Sequence, residues 1–509
     1  VTGLARLLEA VAAGVALLGV AMLATGGWIV AGRPLTRVDE VVIGLAVLVA
    51  LRALVAPLPF PALRSTGAVA VAAAIYAVVM GFIVLTRHYA LRTHALDLGY
   101  YVQVVWSIAA GHGAYVTLPP MHAWGDHLSP VLYLLVPLGW IAPGAAALVL
   151  AQTAILAAGA FAVLAFGRQR LGAVTAAAVF ALLYLVNPSL HGINLRDIHP
   201  QAFAIPLLIA AALAFDAGRY AWCAIALALT LACREDAAIA VVGFGIWLAL
   251  ARRRWRLGAA VATASVLLLA IDLRYVMPYF RAEPYPHLHR YAYLGSSLGD
   301  VLLSIAFRPW RWLGVVLTGG KLVYVLLMLL PLGGLPLLAP RVLAAALPGL
   351  AMNLLSADPA LFNFRSQYQS FVLPFLVLAA VEGYARIRDW HRAPALLALG
   401  LFASVLLTAR TTNDLMVTRW RLGPGQRAAH ELMGRIPDGR AVSVNERLVP
   451  HLATRREALI YPTGVGASDY VLELETALAK RPAQGYGEIA RAGGWALLRR
   501  EAATSPNPR

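Results

Sequence analysis

Charge is scarce in this chain, and lysine and cysteine are scarcer still. Only 13% of its 509 residues are Asp, Glu, Lys or Arg, where a soluble domain carries roughly 25%. Hydrophobic residues make up 60%, and the mean hydropathy is +0.72. This excludes a disordered chain, a collagen and a nucleic-acid-binding basic globule. The formal charge of +17 comes from basic residues scattered between long apolar runs, the pattern of a polytopic membrane protein. Lys321 and Lys480 are the only lysines, so arginine carries nearly all the positive charge. Cys223 and Cys233 sit in apolar stretches without CxxC spacing. That excludes a disulfide or zinc–thiolate framework and makes them packing residues. Diagnostic spacings such as HExxH are absent, as is an internal repeat.

What is present is a series of apolar runs near the length of about 20 residues that a span needs. Runs begin near Ala12, Val41, Thr66, Gly144, Ala173, Gln201, Tyr220, Ala237, Leu257, Lys321, Val342, Ser370 and Pro394. They predict about thirteen spans, some of them short. The first run is too long for a signal-peptide core and reads as a spanning helix. Arg168 and Arg170, Arg252, Arg253, Arg254 and Arg256, and Arg386, Arg388 and Arg392 fall on one side. The positive-inside rule makes that side cytoplasmic. The N-terminus is then inside, and the loops 87–129, 187–200, 272–300 and 357–367 lie outside, with the C-terminal tail. Most acids, among them Asp97, Asp126, Asp197, Glu235, Asp236, Asp272, Glu283, Asp300 and Asp358, fall on the outer face beside many arginines. Such a face, charged with both signs, suits a site for an anionic ligand.

Three polar clusters stand at helix starts. In residues 92–113, Leu98, Tyr101, Val102, Val105, Trp106 and Ala109 share one helical face. This predicts an amphipathic helix at the outer interface. Asp97 precedes it, either as an N-cap or as a carboxylate held for general-base work. In residues 121–140, Ser129 and Pro130 form an N-cap and first-turn pair. His122, Asp126 and His127 gather just before it. In residues 187–203, Pro200 pushes His199 toward extended geometry. An extended Asp197 and His199 would point the same way, with Arg196 opposite. Helix N-termini on one membrane face suit phosphate. Ordinary capping is the alternative for each.

Arg234, Glu235 and Asp236 lie between two short apolar runs, where charge is costly and suggests function or an ion pair. Glu235 and Asp236 are adjacent, so they diverge by about 100° on a helix and serve different partners. The loop 274–295 is rich in Tyr, and its Arg281, His287, His289 and Arg290 suit phosphate or sugar. Its alternative is an aromatic belt. Arg365 stands just above another span. Beyond about residue 410 the chain turns polar. The segments 441–444, 457–462, 469–474 and 495–500 read as strands, and 425–435 and 475–492 as partly helical. Together they predict a small α/β layer with no GxGxxG or Walker motif, serving to dock or cap.

The motifs ALDLGYYVQVVWS, GDHLSPVLYLLVPLGW, LVNPSLHGINLRDIHPQAFAIPLL and ACREDAAIAVV, in that order, resemble a bacterial family of predicted polytopic membrane proteins of unknown function. The resemblance extends over roughly residues 66–475 through SQYQSFVLPFLVLAAVEG, GRIPDGRAVSVNERLVPHLATRREALIYP and SDYVLEL. That family is in turn similar to the GT-C glycosyltransferases. The apolar runs together with the resemblance imply a mainly α, polytopic, GT-C-like bundle of about thirteen spans, the first pair of which lies outside the resemblance. It would comprise extra N-terminal helices (1–65), a GT-C-like membrane domain with large outer loops (66–410) and a small extracytoplasmic α/β domain (411–509). The resemblance implies transfer of a sugar from a polyprenyl-phosphate-linked donor, with Asp97 matching the superfamily's carboxylate in the first large outer loop. Asp126 and Asp197 are weaker matches to a second acid, and His127 stands beside them. Arg196, His199, Arg234, Glu235, Arg281, His289, Arg290 and Arg365 are the candidates to bind substrate phosphate. Asp97, Asp126, His127, Asp197 and His199 are candidate ligands for a divalent Mg, Mn or Zn ion. The expected partners are the polyprenyl-phosphate lipid, a cell-envelope glycan or protein acceptor and membrane lipids, with docking on the C-terminal layer and no nucleic acid. The expected location is the bacterial inner membrane. A transporter or flippase of a lipid-linked or anionic substrate, and a non-catalytic scaffold, are the competing readings.

Overall fold

The structure, a computed structural model, describes residues 2–30, 32–56, 66–281 and 285–501. Glu283 lies outside the described residues. The chain is mainly helical, and each of the thirteen apolar starts falls at or within a helix. Five of these helices are long and apolar enough to cross a membrane: Gly3–Thr25, Thr66–Tyr89, Ala145–Leu171, Trp255–Arg281 and Ala393–Leu415. Two bent pairs raise the number to seven if each is one span. They are Val174–Leu185 with Pro188–Asn194, bent by 45°, and Pro309–Val316 with Gly319–Leu332, bent by 64°. The difference from thirteen is one of length. Tyr220–Leu231 has 12 residues, which at 1.5 Å per residue gives about 18 Å against the roughly 30 Å of a hydrocarbon core. Pro200–Asp216, Ala237–Leu250 and Pro340–Leu355 are short in the same way.

The bundle packs through small residues and is pinned at one end by charge. A Cβ on Gly245 would lie 2.6 Å from the Gly258 carbonyl oxygen, so these two glycines let Ala237–Leu250 and Trp255–Ile271 meet backbone to backbone. The helix Leu373–Ile387 is buried along most of its length. At its C-terminal end Glu382 joins Arg252 (2.8 Å) and Arg170 (3.0 Å), and Asp216 accepts from Arg252 Nε at 2.6 Å. Arg170 lies eighteen residues after Gln152 on Ala145–Leu171, so about 27 Å of helix separates this network from the polar groups described below. The N-terminal helices Thr2–Thr25 and Val38–Val55 are tied together by Arg52 and Glu9 at 2.7 Å. The Asp39 N–H, donating to Asn413 Oδ1 at 3.1 Å, ties the second of them to the bundle.

A five-stranded mixed sheet follows, in the order Ala458–Ile460, Val442–Val444, Tyr470–Leu474, Trp495–Arg500, Tyr486–Ala492. The first three strands are parallel and the last two pair antiparallel. The segment 475–492, expected to be partly helical, is a helix only at Glu475–Lys480; Tyr486–Ala492 is an edge strand. Its partner Trp495–Arg500 follows across Gly493 and Gly494, both with positive φ, which makes the pair a hairpin.

The sheet is docked on the helix Tyr100–Ala109. Gln103 Nε2 donates to the Arg455 carbonyl at 3.2 Å, and Thr117 Oγ1 donates to the Ala458 carbonyl at 2.8 Å. This explains a difference in Tyr100–Ala109, where Gln103, Val104 and Ser107 are buried beside the apolar face expected from the sequence. The helix lies between the bundle and the sheet rather than on an interface with one wet side.

Candidate functional site

Asp97 sits in a π-helical turn, Ala95–Gly99, that leads into Tyr100–Ala109. A wide turn of this kind re-aims side chains and recurs at functional sites. The N-cap alternative fails, because no side chain caps either helix start. The Asp97 carboxylate instead lies 3.3 Å from His199 Nε2. The Asp97 side chain is 46% exposed and that of His199 only 5%, so the pair has one buried end and one open end. Burial raises the Asp97 carboxyl. The His199 hydrogen bond and the charges of His199, His94 and Arg196 outweigh it and hold the group below the usual carboxylate range.

His199 is extended before Pro200, as Pro200 dictates. Asp197 is not extended: its φ is +58°, a left-handed conformation that Asp tolerates better than most residues. The two side chains therefore do not point the same way. Asp197 Oδ2 accepts the His94 N–H at 3.0 Å, and burial pushes its pKa up to about 6 despite that bond. Gln152 fixes this loop with both ends of its amide. Nε2 donates to the Asp197 carbonyl at 2.7 Å, and Oε1 accepts the His199 N–H at 2.8 Å. The His94 ring faces Glu446 of the C-terminal layer at 3.3 Å, both half exposed.

A second group lies beyond Tyr101. Glu235 is fully buried and its oxygens are filled. Oε1 is 3.2 Å from His127 Nδ1 and accepts from Tyr285 Oη at 3.2 Å, and Oε2 accepts the Leu128 N–H at 3.1 Å. Burial opposes charge on both partners, but their mutual attraction prevails, holding Glu235 low and His127 high. The rings of His127 and His287 stack at 4.8 Å, inclined by 7°. Asp126 Oδ1 lies 3.7 Å from Arg281 and 3.9 Å from His287 Nε2. Gly125 makes this possible, since a Cβ there would lie 2.9 Å from that of Arg281. Arg234 pairs with Asp236 rather than with Glu235, the divergence expected of adjacent acids. Tyr101 joins the two groups. It packs edge-on to His199 at 6.2 Å. Burial first, and then the charges of Asp126, Glu235 and Asp97, keep its hydroxyl protonated.

Arg234 and Arg290 both lie over the Tyr368 ring, at 5.5 and 5.3 Å. Tyr368 borders a cavity of about 520 Å³. Its walls are mainly apolar, with Ile239, Leu269, Leu302, Ile305 and Met352, and Asp236, Arg274, His287 and Arg290 give it a polar part. A larger cavity of about 760 Å³ lies at Phe215, Trp255 and Arg254 and has neither histidine nor carboxylate in its lining.

The expected single set of metal ligands is thus divided. Asp97, Asp197 and His199 gather on one side of Tyr101, and Asp126 and His127 on the other. Arg196 is exposed, with its charge acting on Asp97. Arg290 pairs with Asp358 at 3.4 Å. His289 is exposed. Arg365 donates to Thr411 Oγ1 at 3.0 Å. Ser129 precedes Pro130 as expected, but its side chain makes no capping bond. Gln152 and Glu446 were not foreseen, because each reaches the site from a distant part of the chain, and His94, three positions before Asp97, was one unremarked polar residue of its segment. His287 was expected only as one of four loop residues suited to phosphate or sugar, not as a neighbour of Asp126 and His127.

Residues 87–481 match the sequence profile of the family described as "Predicted membrane protein (DUF2079)". No curated protein matches the chain in sequence. Solved structures share its fold, among them two of one protein. One is ArnT from Cupriavidus metallidurans bound to undecaprenyl phosphate, at 13% identity and a TM-score of 0.52, covering 87% of this chain and 100% of that one. The other is the same protein in the apo state, at 13% identity and a TM-score of 0.54, covering 87% and 99%. At that identity the likeness is one of fold alone.

Proposed function

We propose that the chain, which belongs to this family of predicted membrane proteins, transfers a sugar from a polyprenyl-phosphate-linked donor to an acceptor hydroxyl on the extracytoplasmic side of a bacterial inner membrane. The observation that carries this reading is the Asp97–His199 pair, an open carboxylate backed by a buried imidazole at 3.3 Å. A base that must take a proton from solvent-borne substrate needs one accessible oxygen and a fixed orientation, and this pair offers both. Asp97 takes the proton of the acceptor hydroxyl as its oxygen bonds to the anomeric carbon. The bond from that carbon to the phosphate oxygen breaks, and polyprenyl phosphate leaves with the electron pair, inverting the anomeric centre.

The cavity suits such a donor, with apolar walls for a prenyl chain and Arg274 and Arg290 for its phosphate. Arg196 is the exposed cation whose charge reaches Asp97, and Arg234 lies beyond Tyr101, held by Asp236. The binding of undecaprenyl phosphate by ArnT supports the donor class, and the sequence resemblance to GT-C enzymes points the same way. In this reading the five to seven long apolar helices cross the membrane, the shorter apolar ones enter it, and the sheet stands outside it.

The test is Asp97→Asn in purified protein, assayed for release of polyprenyl phosphate from a sugar-charged donor. Loss of a general base lowers turnover by about 10²–10⁴-fold while the melting temperature holds. Unchanged turnover overturns the assignment. Lipid flux across vesicles without any turnover would make the chain a transporter.

A further inference from the structure

Two imidazoles and a carboxylate, the adjacent Asp126 and His127 and the distant His287, converge where the transfer chemistry above does not use them. Among the described residues, Asp126, His127 and His287 each offer a ligand atom within 4.8 Å of the other two. Three features of their surroundings are those of a metal centre. First, His127 is oriented from behind by Glu235, which takes up Nδ1 and leaves Nε2 for a ligand. Metal-binding histidines are commonly held in this way by a carboxylate. Second, Glu235 is itself held by Tyr285 and the Leu128 N–H, so its position does not depend on a cation. Third, His287 Nε2 is buried, has no hydrogen-bond partner and lies on the side of Asp126.

We propose that Asp126, His127 and His287 bind one zinc-class divalent cation beside the polar part of the 520 Å³ cavity. Two nitrogens and one oxygen suit zinc better than magnesium, which favours an all-oxygen shell. Three protein ligands leave a fourth position open, the arrangement of sites that act on a bound molecule. Donors around zinc stand about 2.1 Å from the ion and hence about 3.4 Å apart, so binding draws the three side chains inward. His287 and Arg290 both border the cavity, which places the open position near an anionic head group. The metal site does not require that head group to carry a sugar.

The probe is zinc alone, added to the full-length protein in detergent and followed by calorimetry and by elemental analysis after desalting. One ion per chain is expected. His287→Gln and, separately, Asp126→Asn should each weaken binding by at least tenfold, while His391→Gln, at an exposed histidine on another surface, leaves it unchanged. Zinc should raise the melting temperature of the wild type and not that of His287→Gln. Failure of the wild type to retain zinc overturns the site, and so does full binding by His287→Gln. Because the readout is binding, an inactive Asp97→Asn protein that still holds zinc would separate this inference from the transferase reading.

Discussion

Gln152 holds the open pair in place without touching a reacting atom. Its amide spans the Asp197 carbonyl and the His199 N–H, and it is buried with no exposed surface. Gln152→Ala leaves both partners unsatisfied, a cost of about 2–3 kcal/mol, and frees His199 to turn away from Asp97. The expected outcome is a fall in turnover with little change in donor KM, together with a lower melting temperature. At this scale Asp97 was legible, because its place before an aromatic helix and the family resemblance both mark it. Its partner was marked only as a member of the same candidate ligand set, not as a direct pair. His199 stands 102 positions away, and local periodicity carries no information on a contact between a π turn and a left-handed loop. Glu235 was marked as a charge that needed function or a partner and as a candidate for the phosphate site, and His127 supplied the partner.

Among the elements, the short helix Pro188–Asn194 sets where the loop bearing Arg196, Asp197 and His199 begins. It packs so closely that a Cβ on Gly192 would lie 2.3 Å from the Arg365 carbonyl oxygen. Backbone cannot yield there as a flexible side chain can. Gly192→Ala is expected to cost about 1–3 kcal/mol and to disturb the loop. Thermal unfolding measures the first effect and transfer activity the second. Helix starts were readable because proline, glycine and the onset of apolar runs mark them, as at Thr66 and Tyr220. Span number was less readable, since hydropathy reports burial in lipid and burial in protein alike. The edge strand Tyr486–Ala492 was missed because Gly487, Glu488 and Arg491 interrupt its apolar pattern and one of its edges is bare, which removes the apolar signal a central strand shows.

For the molecule as a whole, the seam between sheet and bundle is sensitive to pH. His451 stacks on His88 at 3.8 Å, inclined by 14°, with His430 edge-on at 5.1 Å; Tyr89 closes the group. Burial, reinforced by the neighbouring His88 and His430, pushes the His451 imidazole down to about 2. An unfolded histidine titrates near 6.5. The depressed value means that the undocked state takes up the proton first, so stability held above about pH 6.5 is lost as the pH falls. Between pH 6.5 and 5 the loss is about 2 kcal/mol. Limited proteolysis between the bundle and the sheet should accelerate at pH 5, and His451→Gln should flatten that dependence. The sequence marked a polar tail but not this seam, because His88 stands more than 300 residues before His430 and His451.

The docking bonds of the sheet also have a consequence in time. Gln103 meets the Arg455 carbonyl across 352 positions of chain, and Glu446 reaches His94 across 352 as well. A ribosome adding about 5–20 residues per second takes roughly 20–70 s to cover that distance. Throughout that interval the newborn bundle already carries Asp97 and His94, yet the wall that completes their surroundings has not been made. The site is completed only after residue 446 has been made, and a chain released before it would leave an inserted bundle with an unfinished mouth.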